Sequence, residues 1–267
     1  MEPLRDKIAI VTGASTGIGR DTALLLAEKG ASVVAVARNE AALRSLETEV
    51  SAGRGRVIPM PVDVTDRGQQ RSLVHRTIDQ FGKIDVLVCN AGIYPRKAIR
   101  DSRIEDYERC MAVNFYGAVG IILDVLPHML ERKSGNIVVI ASVDGKKGLP
   151  PDGIYVSTKF AITGFMDVLR QELFGTGVAA STILPGRVDT PMIAGLKVPL
   201  VSAKISSRRV ASAVLRAIMK RRAEIVIPFM GPKLLIVLSS ISARLGDWLV
   251  RITKLEGIEE HAYDENP

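Results

Sequence analysis

Tyr155 and Lys159 stand four residues apart at the start of a helical pattern, a spacing that places both side chains on one helix face. A free phenol titrates near 10 and carries protons poorly at neutral pH, but an ammonium held beside it stabilises the phenolate and lowers that value. The pair is useful only where other polar groups converge on it. Ser142 ends an apolar, β-branched run thirteen residues earlier, from where its hydroxyl can reach the same pocket and hydrogen-bond a substrate carbonyl. Asn114 lies between Val113 and Phe115 in a long helical stretch, where packing alone would prefer an apolar residue. An amide satisfied within its own helix is the competing reading.

A second constellation stands near the start of the chain. Thr12-Gly13-Ala14-Ser15-Thr16-Gly17-Ile18-Gly19 has glycines at intervals of four and two. Glycines allow a tight turn and close backbone approach, and the helix that follows offers free N–H groups and a positive dipole end to a pyrophosphate. A plain glycine turn is the alternative. About twenty residues after such a loop a dinucleotide site carries Asp or Glu for the ribose 2′-hydroxyl, or Arg for a 2′-phosphate. The second strand here ends Val36-Ala37-Arg38-Asn39, with no acid and a guanidinium at once, which favours NADP(H) over NAD(H); the alternative is that Arg38 merely starts a solvated helix. Asp63, followed by Val64, either accepts from an adenine amino group or caps the next helix. Asn90-Ala91-Gly92 brings a small-residue loop to the same edge, where backbone can pack against an adenosine.

These motifs need a scaffold, and the chain supplies one. Apolar runs at Lys7–Thr12, Ser32–Ala37, Arg56–Val62, Ile84–Cys89, Gly135–Ser142, Val178–Leu184 and Glu224–Ile227 read as strands. Helical patterns lie near Ile18–Lys29, Glu40–Ser51, Arg67–Phe81, Ile104–Arg132, Tyr155–Phe174 and Ser206–Arg221. This alternation predicts an α/β fold: a single doubly wound domain with a seven-stranded, mostly parallel sheet flanked by helices. Ligands bind such sheets beyond the carboxyl ends of the strands, and every motif above falls there.

Together these residues resemble the short-chain dehydrogenase/reductase family, a Rossmann-type fold, over almost the whole stretch from Lys7 to about Ile227. The family's T-G-x-x-x-G-x-G is met by Thr12 to Gly19, its N-A-G by Asn90 to Gly92, and its Y-x-x-x-K by Tyr155 to Lys159. Its catalytic Asn and Ser correspond to Asn114 and Ser142, and its P-G-x-x-x-T to Pro185, Gly186 and Thr190. The resemblance implies a nicotinamide-dependent oxidoreductase acting on a carbonyl or secondary alcohol. Tyr155 would be the general acid/base, and Lys159 would hold the nicotinamide ribose and depress the tyrosine pKa. Ser142 would orient the substrate oxygen, and Asn114 would anchor a water. Thr190 and the backbone at Val188 would fix the carboxamide. It also implies a homodimer or homotetramer through the helices containing Asn114 and Tyr155. The rival from another class is a non-catalytic dinucleotide-sensing or scaffold protein on the same fold.

The 267 residues are 47% apolar and 24% charged with a net charge of +7, which excludes disordered and disulfide-dense classes. Cys89 and Cys110 form no disulfide framework, Cys89 is expected buried and inert, and His75, His128 and His261 are scattered. No metal is expected, nor nucleic acid, since the cations are dispersed and aromatics are 4%. The start lacks a secretory pattern, so the expected location is cytoplasmic. The pocket, bounded by the loop after Ser142, by Ile93 to Pro95 and by Gly186 to Lys204, is expected to be mainly apolar. Val143, Leu149, Pro150, Ile93, Tyr94, Met192, Ile193 and Leu196 suit an apolar carbonyl or alcohol substrate. The catalytic domain is taken as 1–228, followed by a helical extension over 229–255 and a loose polar tail over 256–267. In the extension, Leu234, Leu238, Ile241, Leu245, Trp248 and Ile252 predict one amphipathic helix. Three readings compete for it: packing on its own or a sister subunit, peripheral membrane contact through 233–254, or an apolar lip over the active-site mouth.

Overall fold

A computed structural model describes residues 3–50, 55–256 and 258–259. Seven parallel strands form the central sheet: β1 (Ile8–Thr12), β2 (Ser32–Ala37), β3 (Arg56–Pro61), β4 (Val86–Cys89), β5 (Gly135–Ile140), β6 (Val178–Pro185) and β10 (Glu224–Ile227). Their order across the sheet is β10-β6-β5-β4-β1-β2-β3. Expected as mostly parallel, this sheet is parallel throughout.

Side chains alternate between two cores because a strand repeats every two residues. Ile10, Val34, Val36, Ile137 and Val139 enter the core on one face, while Ala9, Val11, Val33, Val138 and Ile140 enter the other. Both faces are covered, so these strands read as continuous apolar runs. The first core is closed by α3 (Arg67–Phe81), α5 (Gly117–Glu131) and α6 (Gly153–Glu172), the second by α1 (Gly17–Glu28) and α7 (Ser207–Lys220). Fully buried Ile10, Leu26 and Ile121 each contribute about 1.5–3 kcal/mol by leaving water. The strand order reverses between β1, whose chain continues outward through β2 and β3, and β4, placing the ligand crevice at their carboxyl ends.

Helix ends follow local chemistry. The N-cap Asp66 of α3 accepts from Gln69 N, and Gly82 ends that helix in the left-handed region at φ 73°. Asn39 caps α2 (Glu40–Glu49) by accepting from Ala42 N.

Three expectations are corrected. Ile104–Arg132 is not one regular helix: α4 (Ile104–Met111) and α5 are joined by a π-turn at Ala112–Tyr116, the kind of widened turn common at functional sites. The run is long and apolar enough to cross a membrane, but Ile121, Ile122, Val125 and Met129 are packed into the core. The C-terminal extension is two helices, α8 (Met230–Ile241) and α9 (Ala243–Thr253). They break at Ser242, which turns extended and accepts from Leu245 N as the cap of α9. Gly246 allows the pair to cross closely, since a Cβ there would meet Ser239 Oγ at 2.3 Å. Finally, the segment expected as a loose tail pairs in part: β11 (Ile258–Glu259) runs antiparallel to β8 (Leu196–Lys197). A second two-residue pairing joins β7 (Val188–Asp189) to β9 (Ile205–Ser206). Gly257 and residues 260–267 lie outside the described residues, as does Ser51.

Candidate active site

The glycine loop leaves β1 and enters α1 beside the loop after β4. Gly17 sits at φ 55°, and a Cβ there would meet Thr190 Cγ2 at 2.9 Å. Gly19 approaches backbone more closely still, where a Cβ would lie 2.1 Å from Gly13 O. The N-cap Thr16 makes no side-chain cap, and no acid occupies the first turn of α1, so its free N–H groups and positive end suit an anion. Asn90 holds this cradle together, donating from Nδ2 to Thr12 O at 3.1 Å and Gly13 O at 3.2 Å. Thr12 Oγ1 accepts from the N–H groups of Asn90 and Ala91. The residues present therefore fit a pyrophosphate: glycines at Gly13, Gly17 and Gly19 that let backbone approach closely, in front of a helix with no side-chain cap. Ser15 lies in the same turn, and Ile18 continues from it into the main cavity.

Farther along the edge, Arg38 is exposed at the end of β2, close enough to Asp63 to help hold its carboxyl below the usual range. The larger influences on Asp63 are the Thr65 N–H and hydroxyl, which donate to its Oδ1 at 2.9 and 2.8 Å. Asp63 thus caps a turn, while the cap of α3 is Asp66. Val64 packs against Gly117.

At the chemical end, one cavity of about 680 Å³ is lined by Ser142, Tyr155, Lys159, Gly92, Pro185 and Gly186. Val188 and Thr190 also reach it. Lys159 is buried and donates to Ile140 O at 3.0 Å, with Nζ 5.3 Å from the Tyr155 ring centre. Burial lowers its ammonium to about 8. Burial pushes the Tyr155 phenol up, the Asp144 carboxylate pushes it further, and the Ser142 hydroxyl opposes both. In the site as it stands, burial and Asp144 together hold this phenol above its ordinary value.

Asn114, in the π-turn, is buried. Its Oδ1 accepts from Ile93 N at 2.8 Å, and its Nδ2 donates to Ile93 O and Thr158 Oγ1, each at 3.0 Å. This amide ties the loop after β4 to α6 and does not face inward for substrate. Ile93, bonded to Asn114 through its backbone N–H and C=O, lines no part of the cavity, and neither does Pro150. The other six expected apolar residues do line it.

Two acids complete the wall. Ser142 Oγ donates to Asp144 Oδ2 at 3.0 Å and accepts from Asp144 N at 3.1 Å. Burial, reinforced by Asp152, raises Asp144 to about 6. Asp152 accepts from the Tyr94 hydroxyl at 2.7 Å and from Arg96 Nε at 3.0 Å, and the Tyr94 ring meets Tyr155 edge-on at 4.8 Å. Arg96 and Arg187 donate to the carbonyls of Glu256 and Leu255, which pins the end of α9 onto the site. Nothing in the sequence aims these two acids at the site, and both arginines were missed. The signal was there: buried carboxylates demand nearby cations. The undersides of α8 and α9 add Leu235, Leu238 and Leu249 to the cavity. Cys89 is buried, and burial raises its thiol to about 12. Among the described residues no group of His, Cys, Asp and Glu is arranged to hold a metal.

A parallel sheet of this order, a glycine cradle at its switch point and a tyrosine–lysine–serine wall beyond it define a dinucleotide-dependent oxidoreductase. The sequence profile of the short chain dehydrogenases matches residues 7–198. The chain belongs to that family. It is similar to the ketoacyl reductase HetN of Nostoc sp., with 35% identity over 238 residues covering 85% of this chain and 80% of that one. Among solved structures it resembles a short chain dehydrogenase/reductase from Burkholderia phymatum in complex with NAD, at TM-score 0.83 and 26% identity over 92% of this chain and 96% of that one. It also resembles an alcohol dehydrogenase from Thermococcus sibiricus complexed with 5-hydroxy-NADP, at TM-score 0.75 and 26% identity over 83% and 95%. The cofactor is a nicotinamide dinucleotide.

Proposed function

We propose that this chain reduces an apolar ketone, or oxidises the matching secondary alcohol, with NADP(H) as the preferred cofactor. The observation that carries the reading is the convergence of Ser142, Tyr155 and Lys159 on one largely apolar cavity that adjoins the glycine cradle. The nicotinamide supplies or accepts the hydride when bound. Tyr155, kept protonated by burial, donates to the carbonyl oxygen in reduction and takes the proton back in oxidation. Ser142 orients the same oxygen, and Lys159, bonded to Ile140 O, would bind the ribose hydroxyls. Gly13, Gly17 and Gly19 would hold the pyrophosphate, and Val188 and Thr190 the carboxamide. Arg38, exposed with no acid at the end of β2, supports recognition of a 2′-phosphate. The side chains of Tyr116, Leu123, Phe160 and Val168, bare on α5, α6 and the turn before them, support a homodimer or homotetramer built on that face. Two buried thiols suit the reducing cytoplasm.

The test is a screen of ketones and alcohols of graded size, followed at the nicotinamide absorbance, with Tyr155→Phe as control. The variant is expected to lose about 10²–10⁴-fold in turnover and to keep its cofactor affinity. Unchanged turnover would remove Tyr155 from the chemistry. Fluorescence titration with NADPH and NADH checks the cofactor, and tighter NADH binding would overturn the role of Arg38.

A further inference from the structure

The helices α8 and α9 roof the cavity with their inner faces, yet their outer faces are apolar as well. On α8, Met230, Leu234, Val237 and Ile241 recur at intervals of four, three and four, which is one helical stripe. They are 80%, 60%, 43% and 74% exposed. Phe229 precedes them, and Trp248 and Ile252 extend the bare surface onto α9. Monomeric proteins rarely leave so contiguous an apolar patch in water. Arg244, Arg251 and Lys254 stand exposed around Trp248. The acid among them, Asp247, is neutralised by Lys147 at 2.6 Å.

We infer that the outer face of α8 and α9 docks into the headgroup region of an anionic bilayer, so that an apolar substrate passes from the membrane through this roof into the cavity. The charge pattern chooses between occupants. In a two-fold dimer the same patch meets itself, which would bring the exposed arginines and lysine of one copy against those of the other. An anionic lipid surface matches them instead, with apolar side chains entering the acyl boundary and cations at the headgroups. The stripe also carries no polar residue that would fix a protein partner's register. Access follows from the two-sided helices: Leu235, Leu238 and Leu249 face the cavity, and Leu234, 60% exposed, belongs to the bare stripe and to the cavity lining alike. Part-buried Arg96 and Arg187 tie the end of α9 to the site. This inference deepens the proposed use of an apolar substrate but is tested independently of turnover.

Trp248 is the sole tryptophan of the chain and lies outside the cavity lining. Full-length protein is mixed with phosphatidylcholine vesicles, with and without phosphatidylglycerol, and followed by cosedimentation and by Trp248 emission. Binding to the anionic vesicles with a blue shift is expected, and weaker binding to the neutral ones. Val237→Glu and Ile241→Glu, neither of which touches the cavity, are each expected to weaken partition about tenfold. Turnover of a short, water-soluble ketone should stay unchanged, and that of a long-chain ketone presented in vesicles should fall. Absence of wild-type binding to anionic vesicles overturns the inference, and so does binding that both variants retain. A wild-type dimer that Val237→Glu splits, without vesicle binding, assigns the face to a second copy and also overturns it. If no ketone is turned over while vesicle binding follows the variants, the docking surface stands and only the enzymatic reading falls.

Discussion

Replacing Asp144 by Asn should change the pH dependence of reduction in a specific way. In the structure the Ser142 proton is committed to Asp144 Oδ2, while Ser142 Oγ accepts from Asp144 N. With its hydroxyl facing both Asp144 and Tyr155, the serine has its proton drawn by the carboxylate away from a substrate carbonyl. Protonation of Asp144 reverses the bond. The proton settles on Oδ2, where Ser142 Oγ accepts it, because Oδ1 is buried without a partner among the described residues and a proton there would be an unsatisfied donor. Ser142 is then free to donate beside Tyr155. Asp144 titrates at about 6 because burial and Asp152 disfavour its charge, against Ser142, Arg187 and Lys159, which favour it; Tyr94 and Arg96 face it through Asp152. At pH 8, about two pH units higher, roughly one carboxyl in a hundred is protonated. Wild-type kcat/KM for ketone reduction should therefore fall from pH 6 toward a hundredfold loss at pH 8. Oxidation releases a proton and shows the mirror limb, rising to a plateau above about 6. Asp144→Asn keeps a neutral partner whose amide donates to Ser142, so its reduction should stay flat until the Lys159 limb near 8. Stability gives an independent readout. The folded state disfavours the charged carboxyl, so Asp144 costs stability progressively between pH 4 and 6 and fully above. Raising a carboxyl from the ordinary 3.8 to about 6 corresponds to about 3 kcal/mol. The variant should gain about that much in urea melts at pH 8 and nothing at pH 4. A limb near 6 that persists in Asp144→Asn, or that the wild type lacks, refutes the reasoning.

Lys159→Met should abolish turnover yet raise stability at pH 7. Burial holds the ammonium at about 8 instead of 10.5, a penalty of about 3 kcal/mol present below pH 8 and relieved as pH rises to 10.5. Losing the bond to Ile140 O returns about 1, leaving a net gain of about 2 kcal/mol by urea denaturation. Gly19→Ala would place a Cβ 2.1 Å from the backbone oxygen of Gly13. Backbone cannot swing aside, so NADPH affinity by fluorescence titration should drop at least about tenfold, equivalent to about 1.4 kcal/mol. Asp85 is buried, accepts from Ile8 N at 3.0 Å, and is ringed by Lys7, Lys83 and Arg132. Burial alone would raise its carboxyl, but the Ile8 N–H and these cations together hold it below the ordinary value. Asp85→Ala should cost about 2–3 kcal/mol at pH 7. That difference should vanish as acid protonates Asp85 below about pH 4, which urea melts across pH can follow.

Much of the sheet was legible because parallel strands buried on both faces are written as unbroken apolar runs. Ser32–Ala37 and Glu224–Ile227 are observed with the boundaries read from sequence. Strand ends slipped by one or two residues where apolarity outlasts pairing, as at Ala141 and Ser142, which leave the sheet to form the site. The π-turn at Asn114 was invisible, since helical periodicity does not register a single widened turn. The break at Ser242 was hidden for a related reason. Apolar positions at intervals of three or four continue through it, and only the local bond from Leu245 N to the serine side chain interrupts the helix.

The same contrast separates the two ends of the crevice. Residues around the cofactor are dictated by backbone geometry: a Gly17 at positive φ and a Gly19 against Gly13 O admit no other residue, so spacing alone exposes them. The substrate end is built from side chains brought together over long separations, such as Arg96 with Asp152 and Arg187 with the carbonyl of Leu255. Nothing local in the sequence requires those pairings. They exist because Asp144 and Asp152 are buried, and a buried carboxylate must find donors wherever the fold provides them. Here the end of α9 supplies neither charge, only carbonyls that satisfy the same arginines. The C-terminal roof and the acid pair are thus one structure: a cation that settles the acids also anchors the helices above them. Alteration of either should be felt at Ser142.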